Sequence, residues 1–372
     1  RAEDRRATVR KEEETEIVTE EYGKLVGTMT STLNCVGTFI AILSQLISAT
    51  AVLTIILPSF SYTNSLVLTA FLMFFYVLFG GTRGAAVVGL LKLVLLVIAM
   101  LCCGILAISL SGGFESMFGQ VSKLSLQSGM NFMGFFNRGL SMDLGSAFSV
   151  LVGIVSTQIY AQAYIMARSE AQAKSGFFWG AFLVPFIGGA GIAVGLFMRV
   201  HHSEIVPRTA LTEFMMQYLP PEIAGFFLGT LLITVLGSGA GLALSISSIL
   251  NNDLLSRFVR PSLKPVSLRV LIALTLLTGL LVCLNASEGM ILNYTVVSMA
   301  LRASVILAPL TFAIWAVGYV PASFALVACV CGPAVFFILR IAEVPVNALA
   351  SSIAVGFGIM IVGWLMGKRN AA

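Results

Sequence analysis

Runs of about twenty apolar residues recur along the whole chain, and this repetition constrains its fold more than any other feature. They lie near 30–57, 62–80, 84–110, 144–167, 174–199, 223–252, 268–285, 289–316, 321–342 and 347–367. Each is long enough to cross a hydrocarbon core about 30 Å thick. Within lipid every backbone polar group must find its partner inside the protein, which leaves helices or closed barrels. The runs lack the two-residue alternation of a barrel strand, so they read as helices. Charged residues make up 10% of the chain and hydrophobic ones 58%, against roughly 25% charge in a soluble domain. The expected fold class is therefore an all-α polytopic membrane protein with about ten transmembrane helices.

Turn residues separate the runs: Pro58, the stretch Gly80-Gly81-Thr82-Arg83-Gly84, and Pro220-Pro221. Residues 1–27 are highly charged and do not read as a signal peptide. Most of the 22 lysines and arginines fall in segments that are cytoplasmic if the N-terminus is cytoplasmic, while Lys123, Arg138, Arg199, Arg208 and Arg340 fall on the other side. The positive-inside rule then places both termini in the cytoplasm, and the expected location is the plasma (inner) membrane. A net charge of +5 fits that bias, and its scattered basic residues give no nucleic-acid surface.

The enzyme classes find no support. All six cysteines (Cys35, Cys102, Cys103, Cys283, Cys329, Cys331) lie in apolar runs, which argues for packing rather than disulfides or zinc. His201-His202 has only Glu204 as a neighbouring ligand type and reads as surface. No Walker motif, GxSxG elbow or HExxH helix is present. No cofactor is expected beyond a Na+ ion, and the expected partners are a small-molecule solute and the lipid bilayer.

Four runs depart from generic apolarity. The sixth carries Thr234, Gly237, Ser238, Gly239 and Gly241. The glycines expose backbone, and the two hydroxyls sit one turn apart on one face. That is a set of hard oxygen ligands for a small cation, and equally a pattern of ordinary small-residue helix packing. The fourth run holds Ser156, Thr157, Gln158 and Gln162, polar groups that must face a wet cavity or other helices. The third holds Lys92, about eight residues or roughly 12 Å from its cytoplasmic end. The eighth holds Arg302 near its middle. A cation at that depth costs roughly 2.5–3.5 kcal/mol or more, unless, as Lys92 allows, its head snorkels to the interface.

In series these features resemble the sodium:solute symporter family from about Glu20 to Pro309. Glu20-Glu21-Tyr22-Gly23 before a helix carrying Gln45, the Gly80 to Gly84 turn, Gln158 to Gln162 followed by Ala167-Arg168, Leu228 to Asp253, and Ser298 with Leu301-Arg302-Ala303 occur in the family's order. The resemblance implies a five-plus-five inverted-repeat fold with solute and ion held near the midplane. It divides the chain into a cytoplasmic segment (1–27), the last three helices of the first repeat (28–110) and an extracellular loop (111–142). The second repeat (143–317) and two additional helices (318–372) follow. The family's first two core helices have no counterpart here, and the chain begins at Arg1 without a methionine, so a complete site is expected to need residues beyond it.

The resemblance also implies the site. The expected solute-binding residues are Gln45, Ser48, Thr157, Gln158, Gln162, Asn293 and Ser298; the ion-binding ones are Thr234, Gly237 and Ser238; Lys92 and Arg302 carry charge. Several positions differ from the family: Gly237 removes a hydroxyl, its acidic residue falls at Gly89, the glutamine one turn on falls at Lys92, and an aromatic gate position falls at Gly153. An ammonium at Lys92 is expected to reach the Thr234 and Ser238 face and stand where sodium otherwise binds. The expected function is secondary active transport of a small polar or anionic solute by alternating access, with Na+ or H+ as coupling ion. The alternative is a transport-inactive membrane sensor or scaffold that keeps the fold.

Overall fold

The computed structural model describes residues 14–80, 84–128, 139–155, 169–251, 264–285, 291–342 and 346–371, with single positions at 134, 136, 167 and 344. The described residues form helices and no strand. Those in the apolar runs are α2 (Lys24–Ile56), α3 (Tyr62–Gly80), α4 (Gly84–Leu110), α6 (Leu140–Val155), α7 (Glu170–His201), α9 (Pro221–Ile249), α10 (Lys264–Asn285), α11 (Ile291–Trp315), α12 (Ala322–Ile341) and α13 (Ala348–Ala371). Eight are long and apolar enough to cross a membrane; the apolar parts of α3 and α6 are shorter. The run containing α6 continues into residues 156–166, outside the described set.

These helices hold many hydroxyls without exposing them to lipid. Thr30, Thr38, Thr50, Thr69, Thr230 and Ser247 each donate to the carbonyl four residues earlier at 2.7–2.9 Å. The backbone of the same helix thus satisfies the polar side chain, as a hydrocarbon environment demands.

Three shorter helices lie where the sequence suggested charged or loop segments. α1 (Glu14–Tyr22) occupies the N-terminal charged stretch and buries Ile17, Val18 and Tyr22 while Glu16 and Glu20 stay exposed. α5 (Phe114–Ser128) buries Met117 and Val121 in the 111–142 connection, and α8 (Ala210–Tyr218) buries Phe214 and Met215 between α7 and α9. Their apolar residues recur at helical spacing over less than a span length, so a search for twenty-residue runs passes over them.

The contacts divide the chain into two compact units. Unit 1 comprises residues 1–40, 138–175 and 295–372; unit 2 comprises 41–137 and 176–294. In unit 1, one core gathers Ile17, Val18 and Tyr22 from α1 with Ala308, Ala325, Cys329 and Met360. A second packs Val152 of α6 against Ala300 and Ala303 of α11 with Phe336, Leu349 and Ile353. Glu21 ties α1 down by accepting the backbone N–H of Gly318 in the turn between α11 and α12, where φ is +78°. In unit 2, the core runs from Ala99, Cys103 and Ala107 of α4 through Val194, Phe197 and Met198 of α7 to Phe214, Met215, Phe227 and Leu228.

Candidate functional site

Each unit contains a polar cluster between apolar helices. In unit 2 the cluster forms where α3, α4 and α9 meet. Lys92 of α4 is half-buried, and its Nζ donates to Tyr76 Oη of α3 at 3.3 Å while lying 5.5 Å from the centroid of the same ring. Opposite stands Gly237 of α9. A methyl group there would come within 2.6 Å of Lys92 Nζ and 3.1 Å of Tyr76 Oη. The missing side chain is therefore the space that the ammonium and phenol occupy.

Two residues along, α9 meets α2 and α3 at Gly239, where a methyl group would stand 2.7 Å from Met73 Cε and 3.1 Å from Gln45 Cβ. The hydroxyls on this helix are turned onto their own backbone: Thr234 donates to Thr230 O at 2.7 Å and Ser238 to Thr234 O at 2.9 Å. Each oxygen keeps lone pairs with which to accept a donor or ligate a cation. Ser48 behaves likewise, donating to Ser44 O at 2.7 Å. The hydrogen bond of the Lys92 ammonium goes to the Tyr76 phenol, and its close neighbour on α9 is Gly237, which lies between the two hydroxyl-bearing residues in sequence.

In unit 1 the cluster lies between α2 and α11. Ser298 Oγ, fully buried, donates to Gly37 O at 2.6 Å. Arg302, 6% exposed, donates from Nε to Ser298 O at 3.3 Å. A methyl group on Gly37 would stand 2.6 Å from Arg302 Cγ and 3.3 Å from Ser298 O, so the two helices approach here only because Gly37 has no side chain. One turn before, Asn34 is 3% exposed and its Oδ1 has no hydrogen-bond partner among the described residues. On α6, Gly153 faces Met299, whose Cβ would lie 2.6 Å from a methyl group there. The methionine fills the room an aromatic side chain would need.

The structure thus brings Lys92 to Gly237 and Gln45 to Gly239 on α9, and joins Ser298 to Arg302. Thr157, Gln158 and Gln162 lie outside the described residues, as does the side chain of Asn293 on α11. Sequence reasoning missed Tyr76, Met73, Gly37 and Asn34. Tyr76 is the one a signal could have found, since a tyrosine within an apolar run must place its hydroxyl against a partner.

Among the described residues, the other polar groups build no further centre. His202 Nε2 lies 2.6 Å from Tyr218 Oη and His201 Nδ1 3.0 Å from Phe197 O, within an aromatic cluster at the end of α7. Among the described residues, no three His, Cys, Asp or Glu side chains converge as metal ligands, and all six cysteines are free thiols.

The family model of the sodium:solute symporter family matches residues 18–332. No curated protein matches the chain. A solved structure described as the substrate-bound outward-open state of a Na+-coupled sialic acid symporter, revealing a novel Na+-site, superposes with a TM-score of 0.73. Sequence identity is 16%, and the match covers 96% of this chain and 77% of that chain. At that identity the likeness carries the fold and not the solute.

Proposed function

This chain belongs to the sodium:solute symporter family, and from its unit 2 cluster we propose a symporter that couples a small polar or anionic solute to protons through Lys92. The protein is a secondary active solute:cation symporter with an inverted-repeat transporter fold, and not an enzyme. The finer reading concerns the ion and the solute. The observation that carries it is the position of the Lys92 ammonium, 2.6 Å from where a Gly237 side chain would begin.

An ammonium that close to Gly237 lies beside the stretch of α9 that carries the Thr234 and Ser238 hydroxyls, where a sodium ion would meet its charge. Two unit charges 4 Å apart at an effective dielectric of 20 repel by about 4 kcal/mol. Lys92 and a sodium ion at Thr234, Gly237 and Ser238 would therefore exclude one another. An ammonium that gives its proton to one side of the membrane and regains it from the other supplies the coupling that sodium would otherwise provide. The buried Arg302 guanidinium of unit 1 supports a solute that carries negative charge.

We place both termini in the cytoplasm and the protein in the plasma membrane. The Glu21 contact with the α11–α12 turn fits the order of the spans, which puts the N-terminal segment and that turn on one side, and the lysine and arginine bias supports that side being the cytoplasm. A cysteine introduced between 111 and 142 should react with an impermeant thiol reagent in intact cells, and one beside Lys264 should not; the reverse pattern overturns the orientation.

Uptake by the reconstituted full-length protein tests the coupling. Replacing sodium with choline should leave the rate unchanged, acidifying the outside should raise it, and Lys92→Ala should abolish the pH response. Strict sodium dependence of the unmodified protein would sink the reading.

A further inference from the structure

We propose that Tyr76 is the positioning residue that holds the Lys92 ammonium against α9 and thereby sets the pH at which transport responds. The inference rests on the proton-coupled reading above and adds a residue to it. Three helices of unit 2 contribute one group each: the Tyr76 phenol from α3, the Lys92 ammonium from α4, and the bare backbone of Gly237 from α9. The phenol meets the ammonium twice, through its oxygen at 3.3 Å and through its ring face at 5.5 Å.

The two contacts respond differently to the proton. The ring attracts a cation and has no comparable attraction for a neutral amine. The hydroxyl serves both states: it accepts from the ammonium, and it donates to the lone pair of the neutral amine once the proton has left. Its bond to the charged form is the stronger one. Both contacts hold the ammonium against α9, and the hydroxyl also keeps the side chain in place when the charge is gone. Gly237 completes the arrangement, because any side chain there would intrude between the ammonium and the helix it faces.

Among the described residues, the titratable and charged groups on the elements packed against this cluster are few. Besides Tyr76, α3 carries Tyr62 at its first residue; α9 carries Glu222 in its first turn; α10 carries Lys264, Arg269 and Cys283; α4 itself carries Cys102 and Cys103; α5 carries Glu115 and Lys123; α8 carries Glu213 and Tyr218; and α2 carries Lys24 and Cys35. Tyr62 and Glu222 sit 14 and 15 residues before Tyr76 and Gly237 on the same helices, roughly 20 Å along each axis. Tyr76 is the titratable neighbour in contact.

The test is the pH dependence of uptake in the reconstituted full-length protein. Tyr76→Phe keeps the ring and deletes the hydroxyl, and should raise the proton concentration for half-maximal uptake about fivefold. Tyr76→Leu removes both contacts and should raise it at least about tenfold. Gly237→Ala, whose methyl separates ammonium from helix, should move it in the same direction. Neither Tyr76 variant should change the residual uptake of a Lys92→Ala protein, since the phenol acts only through the lysine. Should Tyr76→Leu fail to fold, Tyr76→Phe, one oxygen smaller, still decides. Sodium-independent, pH-dependent uptake whose midpoint is unmoved by Tyr76→Phe and Gly237→Ala overturns the role of Tyr76 while leaving the coupling reading intact. Strict sodium dependence of the unmodified protein would instead remove both.

Discussion

Arg302 in unit 1 has 6% of its surface exposed, its Nε on a backbone carbonyl and its stem against Gly37. Lys92 in unit 2 is half-buried, with its ammonium on a phenol and beside a bare stretch of helix. Both are cations inside apolar helices, and each has a glycine on the facing helix. The difference lies in what the glycine makes room for. At Gly37 it admits the aliphatic stem, so the arginine is part of the packing between α2 and α11. At Gly237 it admits the charged head, so the lysine is fixed by its charge and little else. A rigid, permanently charged guanidinium suits the first setting, and a flexible ammonium that can lose its proton suits the second.

The comparison predicts that disturbing the arginine costs stability while disturbing the lysine costs coupling. The largest effect should come from Gly37→Val, which drives two methyl groups into Arg302 Cγ and Ser298 O. Overpacking of this kind destabilises by about 1–3 kcal/mol, and thermal unfolding in detergent should show it as the largest loss among these variants. A Gly37→Val protein as stable as the unmodified one would mean that the two helices are not held together at that point. Ser298→Ala removes the hydrogen bond to Gly37 O and should lower stability by about 1 kcal/mol, measured the same way. The smallest change in stability should follow Lys92→Met, within about 0.5 kcal/mol, although this protein loses the pH response of its uptake. A large drop in stability for Lys92→Met would erase the distinction between the two cations.

Much of this could be read from the chain. The apolar runs set the helices because no other described way of crossing lipid keeps the backbone satisfied over twenty residues. Thr234, Gly237 and Ser238 stood out because small and hydroxyl residues are uncommon at such density in an apolar stretch. Lys92 and Arg302 stood out because charge at bilayer depth is expensive. The amphipathic helices α1, α5 and α8 were less legible, since a short apolar stripe among charges resembles a surface loop until its burying partner is known. Tyr76 escaped for a related reason: tyrosine in an apolar run is common, and its meaning depends on which side chain its hydroxyl meets.

The sequence by itself determined that this protein is a bundle of membrane-crossing helices, which of them carry polar groups, and the family to which the order of those groups belongs. These properties follow from local composition and from the cost of burying unpaired polar groups, and both act within a single segment. Only the tertiary structure decided that Gly237 faces an ammonium while Gly37 faces an aliphatic stem. It also decided that a phenol from a third helix completes one cluster and a backbone carbonyl the other. Those distinctions depend on which helix packs against which face, and a glycine's lack of a side chain acquires meaning only from the atoms that come to fill the space.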